Sequence, residues 1–286
     1  MSVKTALASS DDTVGPKLED LEMRLLLEAV FAAAGYDFRQ YLAPMLRRRV
    51  WQCVREERLR TISGFQEKVL HDPDCLGRLV QALCINVSSL FRDPHFYRAL
   101  RLQVFPKLRT YPFIRIWHAG CASGEEVFST AILLEEAGLY QRCRIYATDI
   151  NAAALAQART GMVSLASMEE SCRRYEQAGG TRALPDYYTV CGSEAILDSG
   201  LRRNIVFAQH NLATDSSFNE FNLICCRNVL IYFSKPLQDR VHALFNRSLG
   251  MFAVLALGSK ESIQFSSWEH SYEEVDMEHK IYRRVR

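Results

Sequence analysis

The stretch Ile114-Arg115-Ile116-Trp117-His118-Ala119-Gly120-Cys121-Ala122-Ser123-Gly124-Glu125-Glu126 decides the fold. Its first residues are mostly apolar and predict a buried strand. A loop of small residues with a glycine at each end follows, and residues 125–137 then carry apolar side chains at helical spacing. Strand, glycine turn and helix in this order open a nucleotide-binding α/β unit, because glycine lets the backbone turn sharply and approach a ligand.

The glycine loop favours a ligand other than a pyrophosphate. It has the pattern Gly-x-x-x-Gly, so it is neither a Walker loop nor a Gly-x-Gly-x-x-Gly loop. Glu125 and Glu126 open the following helix, where the helix dipole favours negative side chains but where they would repel a pyrophosphate. A ligand with a cationic amino-acid end and a nucleoside end, such as S-adenosylmethionine (SAM), fits this loop better.

A second predicted strand, residues 143–148, ends at Asp149. An acidic residue at the tip of the second strand, roughly 20 residues beyond the glycine loop, is placed to bind ribose hydroxyls. The two features together predict a dinucleotide- or adenosyl-binding fold. A generic α/β domain whose glycine turn only packs is the alternative that they leave open.

The composition is that of an ordinary soluble globular protein. The chain has 286 residues, enough for two domains, with 48% hydrophobic residues and a net charge of +2. This balance gives no general attraction to nucleic acid. The nine scattered cysteines include no Cys-x-x-Cys pair, which predicts a reduced protein without a metal site. Because the sequence shows neither a signal pattern nor an apolar run near 18 residues, we expect a cytoplasmic protein.

Helical patterns dominate the first third of the chain. Residues 1–17 are predicted to be a mobile tail, and residues 18–85 a small all-helical domain. Its helices are predicted over 18–34, 44–60 and 74–83, with a shorter one opened by the capping box that begins at Ser63. Residues 86–105 form a linker, in which Asp93 as N-cap and Pro94 predict a helix to about residue 104.

Residues 106–286 continue the α/β pattern, with one interruption. Residues 162–204 lack the pattern and predict an insertion with a few short strands. Strands are predicted again at 204–208 and 221–226, a fully buried strand at 251–257, and a final segment at 275–283 that completes the sheet. The residues after 226 lie at the carboxyl end of their strand, where open α/β sheets hold ligands.

The helical domain contains a basic segment. Residues 35–60 include seven arginines against three acidic residues, a local net charge of +4. One interpretation is an ordinary solvated helix face. The other is a docking surface for an acidic protein, because the arginine fork grips carboxylates with two hydrogen bonds. The candidate docking residues are Arg48, Arg49 and Arg55. Nucleic acid suits the segment less well, since few aromatic residues interleave with the arginines.

Four blocks in this order resemble the CheR family, the chemotaxis-receptor protein-glutamate O-methyltransferases. They are Asn86-Val87-Ser88-Ser89-Leu90-Phe91-Arg92-Asp93-Pro94-His95-Phe96, Ala119-Gly120-Cys121-Ala122-Ser123-Gly124-Glu125-Glu126, Ala147-Thr148-Asp149-Ile150-Asn151 and Cys226-Arg227-Asn228-Val229-Leu230-Ile231-Tyr232-Phe233. The resemblance implies an α/β fold: the Rossmann-like sheet of SAM-dependent methyltransferases, an N-terminal all-helical domain and a small inserted antiparallel β-subdomain. It also implies that the cofactor lies between the two domains.

The resemblance implies roles for individual residues. Ala119 and Glu125 would hold the methionine moiety, Asp149 the ribose, and Asn211 and Leu212 the adenine. Arg92 and Tyr232 would stand nearest the transferred methyl group and are the predicted catalytic residues. The full set predicted to contact the cofactor is Asn86, Ser88, Arg92, Ala119, Gly120, Glu125, Asp149, Asn211, Leu212, Arg227 and Asn228.

The implied reaction forms a methyl ester on a glutamate side chain, with S-adenosylhomocysteine as the second product. A glutamate carboxylate has a pKa of about 4.3 and is ionised near pH 7, so it needs no general base and no metal. The enzyme would align carboxylate, methyl carbon and sulfur. The implied partner is an acidic protein, the cytoplasmic helical part of a chemoreceptor or sensor protein. No nucleic-acid partner is expected, and contact with a membrane would occur only through the receptor. Nothing in the sequence argues against a monomer.

The sequence departs from the family pattern at three places. Ser88 replaces a threonine, Val127-Phe128 replaces Pro-Tyr, and Gly258-Ser259-Lys260-Glu261 replaces Gly-His-Ser-Glu. These changes indicate a divergent branch. Two alternatives stay open. One is a methyltransferase acting on nucleic acid or a small molecule, although the segment from Asn228 to Tyr232 lacks the Asn/Asp-Pro-Pro-Tyr/Phe motif of base methyltransferases. The other is a non-catalytic SAM-sensing adaptor.

Overall fold

The computed structural model describes residues 14–84 and 88–286. The chain divides into two compact units, and the boundary falls between Leu83 and Cys84, two residues from the predicted one. Residues 1–13 of the predicted tail lie outside the described residues, and so does Asn86. Residues 14–17 belong to the first helix, so this helix begins four residues earlier than predicted.

The described part of the first unit, residues 14–83, consists of four helices. They are α1 Val14–Ala34, α2 Ala43–Glu56, α3 Ile62–His71 and α4 Pro73–Leu83. Apolar side chains at helical spacing build its core, with Leu26, Val50 and Phe65 buried. Helix α2 ends four residues earlier than predicted, since Arg58 takes a left-handed conformation with φ 58°.

The cap of α3 also differs from the prediction. Thr61, not Ser63, is the N-cap, and its Oγ1 accepts a hydrogen bond of 3.0 Å from the N–H of Gly64. Ser63 lies inside the first turn, and its hydroxyl donates to Glu22 of α1. The prediction of a capping box at Ser63 is therefore wrong, because the Ser63 side chain forms a hydrogen bond with another helix instead.

The second unit contains a seven-stranded sheet, whose strands are β1 Ile114–Ala119, β2 Cys143–Asp149, β6 Ile205–Gln209, β7 Phe221–Cys226, β8 Leu249–Leu257, β9 Tyr272–Asp276 and β10 Ile281–Arg284. Their order across the sheet is β6-β2-β1-β7-β8-β10-β9, and β10 runs antiparallel to the other six strands. The helices of the unit are α5 Pro94–Ala99, α6 Phe105–Leu108, α7 Glu125–Glu136, α8 Ala152–Thr160, α9 Met168–Gln177, α10 Ser199–Arg202 and α11 Lys235–Ser248. A π-helical turn, Leu100–Val104, joins α5 to α6, so the predicted helix continues four residues beyond its expected end.

Trp117 anchors one face of the sheet. Its ring lies 5.1–5.5 Å from four aromatic side chains, those of His210, Phe218, Phe221 and Phe245. Its indole N–H donates to Thr148 Oγ1 at 2.8 Å, so the buried polar atom is satisfied. Because successive residues of a strand point to opposite faces, His118 projects to the other side of β1.

The predicted insertion is present as a three-stranded antiparallel sheet. Its strands are β3 Met162–Ser164, β4 Tyr188–Cys191 and β5 Glu194–Leu197, in the order β3-β5-β4. Helix α9, which was not predicted, precedes β4. Glu136, at the end of α7, has a fully buried side chain that fixes the insertion, since its carboxylate accepts hydrogen bonds from the Tyr175 and Tyr187 hydroxyls and from the N–H of Thr181.

The predicted buried strand at 251–257 is correct only in part. Residues 253–257 are buried, but Met251 is 50% exposed and Phe252 59% exposed. The register between β7 and β8 shifts after Phe221, so the chain bulges out of the ladder there. The predicted final segment is a hairpin of β9 and β10. Among the described residues, the helices are either too short or too polar to cross a membrane.

Candidate active site

Asp149 holds the glycine loop in place. Its carboxylate accepts hydrogen bonds from the N–H of Ala122 at 2.9 Å and from the N–H of Asn151 at 2.8 Å. Burial raises the pKa of Asp149, and the hydrogen bonds from backbone N–H groups oppose this shift. The acid at the tip of β2 therefore organises the loop that follows β1.

Gly120 is required by the close approach of the Val229 side chain. It has φ 78°, and a Cβ at this position would lie 2.5 Å from Val229 Cγ2. Contacts this short do not occur, and the left-handed conformation disfavours other residues as well. The glycine loop thus packs directly against the segment that follows β7, which extends from Arg227 to Phe233.

Glu261 fixes that segment from the other side. Its buried carboxylate accepts hydrogen bonds from the backbone N–H groups of Asn228 at 3.0 Å, Val229 at 2.8 Å, Leu230 at 2.7 Å and Gly258 at 2.6 Å. Burial raises the pKa of Glu261, and these bonds oppose the shift. Sequence reasoning noted Glu261 only as part of a divergent motif and missed this role. The available signal was an acidic residue three positions after a glycine that ends a buried strand.

The linker around Arg92 is held at several points. Phe91 donates its backbone N–H to Ser129 Oγ at 2.9 Å, and Ser89 Oγ accepts from Arg174 Nη1 at 2.7 Å. Asp93 is the N-cap of α5 by position, as predicted, but its side chain makes no capping bond. It instead accepts a hydrogen bond of 2.6 Å from Arg227 Nη2. The order of the linker therefore depends on side chains from distant parts of the second unit.

Arg227 forms the centre of a buried polar network. Its Nη1 lies 3.0 Å from Glu126 Oε2, and the other Glu126 oxygen lies 3.0 Å from His118 Nδ1. The guanidinium also stacks over the Phe96 ring at 3.9 Å. Burial opposes the ionisation of Glu126, but the partners His118 and Arg227 outweigh it and lower the pKa. His118 is thus a hydrogen-bonded histidine.

Three groups in or close to this network could ligate a metal. One ligand atom each of His118, Glu126 and Cys225 lies within 4.8 Å of the others. The Arg227 guanidinium already supplies a positive charge to this buried carboxylate, and a second cation beside it would be repelled. We therefore interpret the group as an ion-pair network.

The structure brings most of the predicted site residues to one edge of the sheet. In the parallel ladders Ala119 pairs with Thr148, and Asp149 pairs with Gln209, so the carboxyl ends of β1, β2 and β6 adjoin. Asn211 and Leu212 follow β6, and Asn228 follows β7 beside β1.

The remaining predicted residues have different surroundings. Ser88, Arg92 and Tyr232 are half-buried, and the carboxylate of Glu125 accepts a hydrogen bond of 2.7 Å from Ser123 Oγ. The side chain of Arg227 is only 2% exposed and lies in the ion-pair network. Arg48, Arg49 and Arg55 belong to α2 of the first unit.

Comparison with known families agrees with this arrangement. Residues 86–281 match the family model described as the CheR methyltransferase SAM-binding domain, and residues 21–84 match that of the CheR methyltransferase all-alpha domain. The chain belongs to the CheR methyltransferase family. The predicted family, fold class and cofactor are thereby confirmed, and the chain is a SAM-dependent methyltransferase.

Relatives of this CheR-family chain include named methyltransferases. It is 49% identical over 265 residues to "Putative methyltransferase Cher3" of Pseudomonas putida, covering 93% of this chain and 97% of that protein. It is 32% identical over 237 residues to a chemotaxis protein methyltransferase of Listeria monocytogenes, covering 80% of this chain and 85% of that protein. Among solved structures, the N-methyltransferase NodS of Bradyrhizobium japonicum in complex with S-adenosylhomocysteine has a TM-score of 0.40 at 15% identity, covering 70% of this chain and 90% of NodS.

Proposed function

We propose that this CheR-family chain methylates glutamate side-chain carboxylates of a chemoreceptor or a related signalling protein. One observation carries the proposal: three acidic side chains at the ligand edge of the sheet are engaged in hydrogen bonds within the protein. Asp149 holds the glycine loop, Glu261 holds the segment after β7, and Glu126 is bonded to His118 and Arg227. These carboxylates serve as structural acceptors, which leaves them poorly suited to act as a general base.

This distribution of acids fits a carboxylate substrate better than an amine or a hydroxyl. An amine or alcohol must lose a proton during methylation, whereas a glutamate near pH 7 has already lost it. The glutamate oxygen forms a bond to the methyl carbon while the carbon–sulfur bond breaks, giving the ester and S-adenosylhomocysteine. The protein has to align the reactants and exclude water.

The chain's own residues fit SAM. Gly120 adopts φ 78° beside Val229, and because it has no side chain the backbone of the loop would be able to approach a ligand. Asp149 retains acceptor capacity beyond its two backbone bonds and would take the ribose, and Glu125 would take the cationic amino group. SAM supplies an electrophilic methyl group on a sulfonium. Arg92 would orient the substrate carboxylate, and the Tyr232 hydroxyl would donate a hydrogen bond to it.

The partner is proposed to dock on α2 through charge. Arg48 and Arg55 are exposed and lie seven residues apart, two helical turns along the same face. Arg47 is instead paired with Glu19 and Asp20, and Arg39 with Glu28, so part of the predicted positive charge is neutralised within the unit. Arg49 is half-buried. The proposed docking surface is therefore centred on Arg48 and Arg55 and suits an acidic helical partner.

The test supplies methyl-labelled SAM and the purified chain to membranes and to soluble extract of the source organism, with the Arg92→Ala variant as the control. Labelled proteins are then treated with mild alkali. Release of volatile methanol identifies a carboxyl methyl ester and supports the proposal. Label that resists alkali indicates an amine or nucleic acid substrate. SAM binding by calorimetry without any labelled product indicates a SAM-sensing adaptor.

A further inference from the structure

Arg92 lies between two residues with unusual backbone conformations. Phe91 has φ 53° and Asp93 has φ 59°, both in the left-handed region that is unfavourable for non-glycine residues. Such conformations persist only where surrounding contacts hold them. The direction in which the chain presents Arg92 is therefore set by whatever holds its two neighbours.

Each neighbour has a specific anchor in the second unit. Phe91 is buried and bonded through its backbone N–H to Ser129 of α7. Asp93 is bonded through its carboxylate to Arg227, at 2.6 Å. The contact joins a half-exposed carboxylate to a guanidinium that is 2% exposed, so the arginine is the fixed member of the pair.

Arg227 is itself held firmly. Glu126, at the start of the glycine-loop helix, binds its Nη1, and Phe96 of α5 covers its plane. The backbone of Arg227 follows directly on β7 and leads into Asn228. The Arg227 side chain thus connects the linker that contains Arg92 with the start of α7. Its backbone lies at the end of β7, beside the proposed methyl-transfer site.

We propose that Asp93 and Arg227 are positioning residues, which fix Arg92 for methyl transfer through the Asp93–Arg227 ion pair. The proposal rests on the proposed function for the role of Arg92. It differs from the role that family resemblance gives Arg227, a direct contact with the cofactor, because the guanidinium is enclosed by protein groups on several sides. A rigid, bidentate cation suits this task, and lysine would not replace it.

A double-mutant cycle tests the proposal. The wild type, Arg92→Ala, Asp93→Asn and the double variant are compared for kcat and KM of the protein substrate. Asp93→Asn is expected to lower kcat about tenfold with KM changed less than about twofold, and to have almost no further effect in the Arg92→Ala background. A merely structural role would lower activity by the same factor in both backgrounds, and that result would overturn the proposal.

Three further variants complete the test. Glu273→Gln, which removes a surface ion pair with Arg283, is the control for loss of an acidic side chain and is expected to leave kcat unchanged. If Asp93→Asn fails to fold, Asp93→Glu keeps the charge but displaces it, and the same cycle is run with that variant. Arg227→Lys should reproduce the loss in kcat, since lysine cannot bind Asp93 and Glu126 with the same fork.

The outcome can be separated from that of the proposed function. If the wild type yields no alkali-labile methyl ester, the proposed function fails. The same four proteins of the double-mutant cycle are then compared for their affinity for S-adenosylhomocysteine, measured by calorimetry, because Arg92 is predicted to contact this ligand. Non-additive affinities then still support positioning through Arg92. Additive affinities overturn it whatever the substrate is.

Discussion

The carboxylate of Glu261 accepts a hydrogen bond of 2.7 Å from the backbone N–H of Leu230, which lies 31 residues earlier in the chain. The same carboxylate binds the two preceding N–H groups, so it holds the segment after β7 as a bound anion would. This segment carries Asn228 and Tyr232, the proposed neighbours of the sulfonium and of the substrate. A buried acid without a proposed chemical role thus shapes the site.

Glu261→Gln should loosen this segment. The glutamine amide nitrogen cannot accept hydrogen bonds, so at least one buried N–H group would lose its acceptor at a cost of about 1–3 kcal/mol. We expect a lower melting temperature and a loss of turnover that exceeds the loss of SAM affinity. Calorimetry and initial-rate measurements check this, with the surface variant Glu273→Gln as control. Equal effects of the two variants would contradict the role given to Glu261.

Gly120→Ala should abolish tight SAM binding. Its Cβ would meet Val229 Cγ2 at 2.5 Å and would sit at φ 78°. Gly179→Ala is a matched control, because Gly179 has φ 82° but nothing within 4 Å of the added methyl group. The backbone strain of about 1–2 kcal/mol is then shared by both variants, and only the collision differs. Similar SAM affinities in the two variants would show that the close approach does not matter.

The regular elements of the SAM-binding unit could be predicted because their signals are local. The apolar run before Gly120, the helical spacing after Gly124 and the acid at Asp149 all lie within about 35 residues, and each follows from periodicity or turn chemistry. The contacts that shape the site are not local. Arg227 and Asp93 are 134 residues apart, and no pattern in the sequence pairs them.

The docking surface, too, could be predicted from the sequence only in part, because its ion pairs join residues that are distant in the chain. The excess of arginine in residues 35–60 was visible in the sequence, but the partners of Arg47 on α1 were not. Tertiary pairing removed some of the charge that a local count had assigned to the surface. What remained exposed could be identified only from the folded helices.

Replacing Arg48 and Arg55 with alanine should weaken capture of the protein substrate. The exposed charges would attract an acidic partner over a range of about 8–10 Å near physiological salt, so KM should rise and its salt dependence should flatten while SAM affinity stays unchanged. Arg47→Ala is the control, since Arg47 is already paired with Glu19 and Asp20. Methylation rates between low and high salt check the prediction. A fall in SAM affinity in the double variant would argue against a separate docking surface.

The stability of the chain should fall between pH 6.5 and pH 4 because of His242. This histidine is buried in α11, and burial, aided by Lys235, lowers its pKa from 6.5 to about 4. Above pH 6.5 the ring is neutral in both the folded and the unfolded chain. As the pH falls below 6.5, His242 binds a proton in the unfolded chain but stays neutral in the folded chain. The free energy of unfolding therefore decreases by up to about 3 kcal/mol by pH 4. Urea unfolding of the wild type and of His242→Leu across this range measures the difference, and the variant should lose less stability. Parallel curves for the two proteins would show that another group titrates.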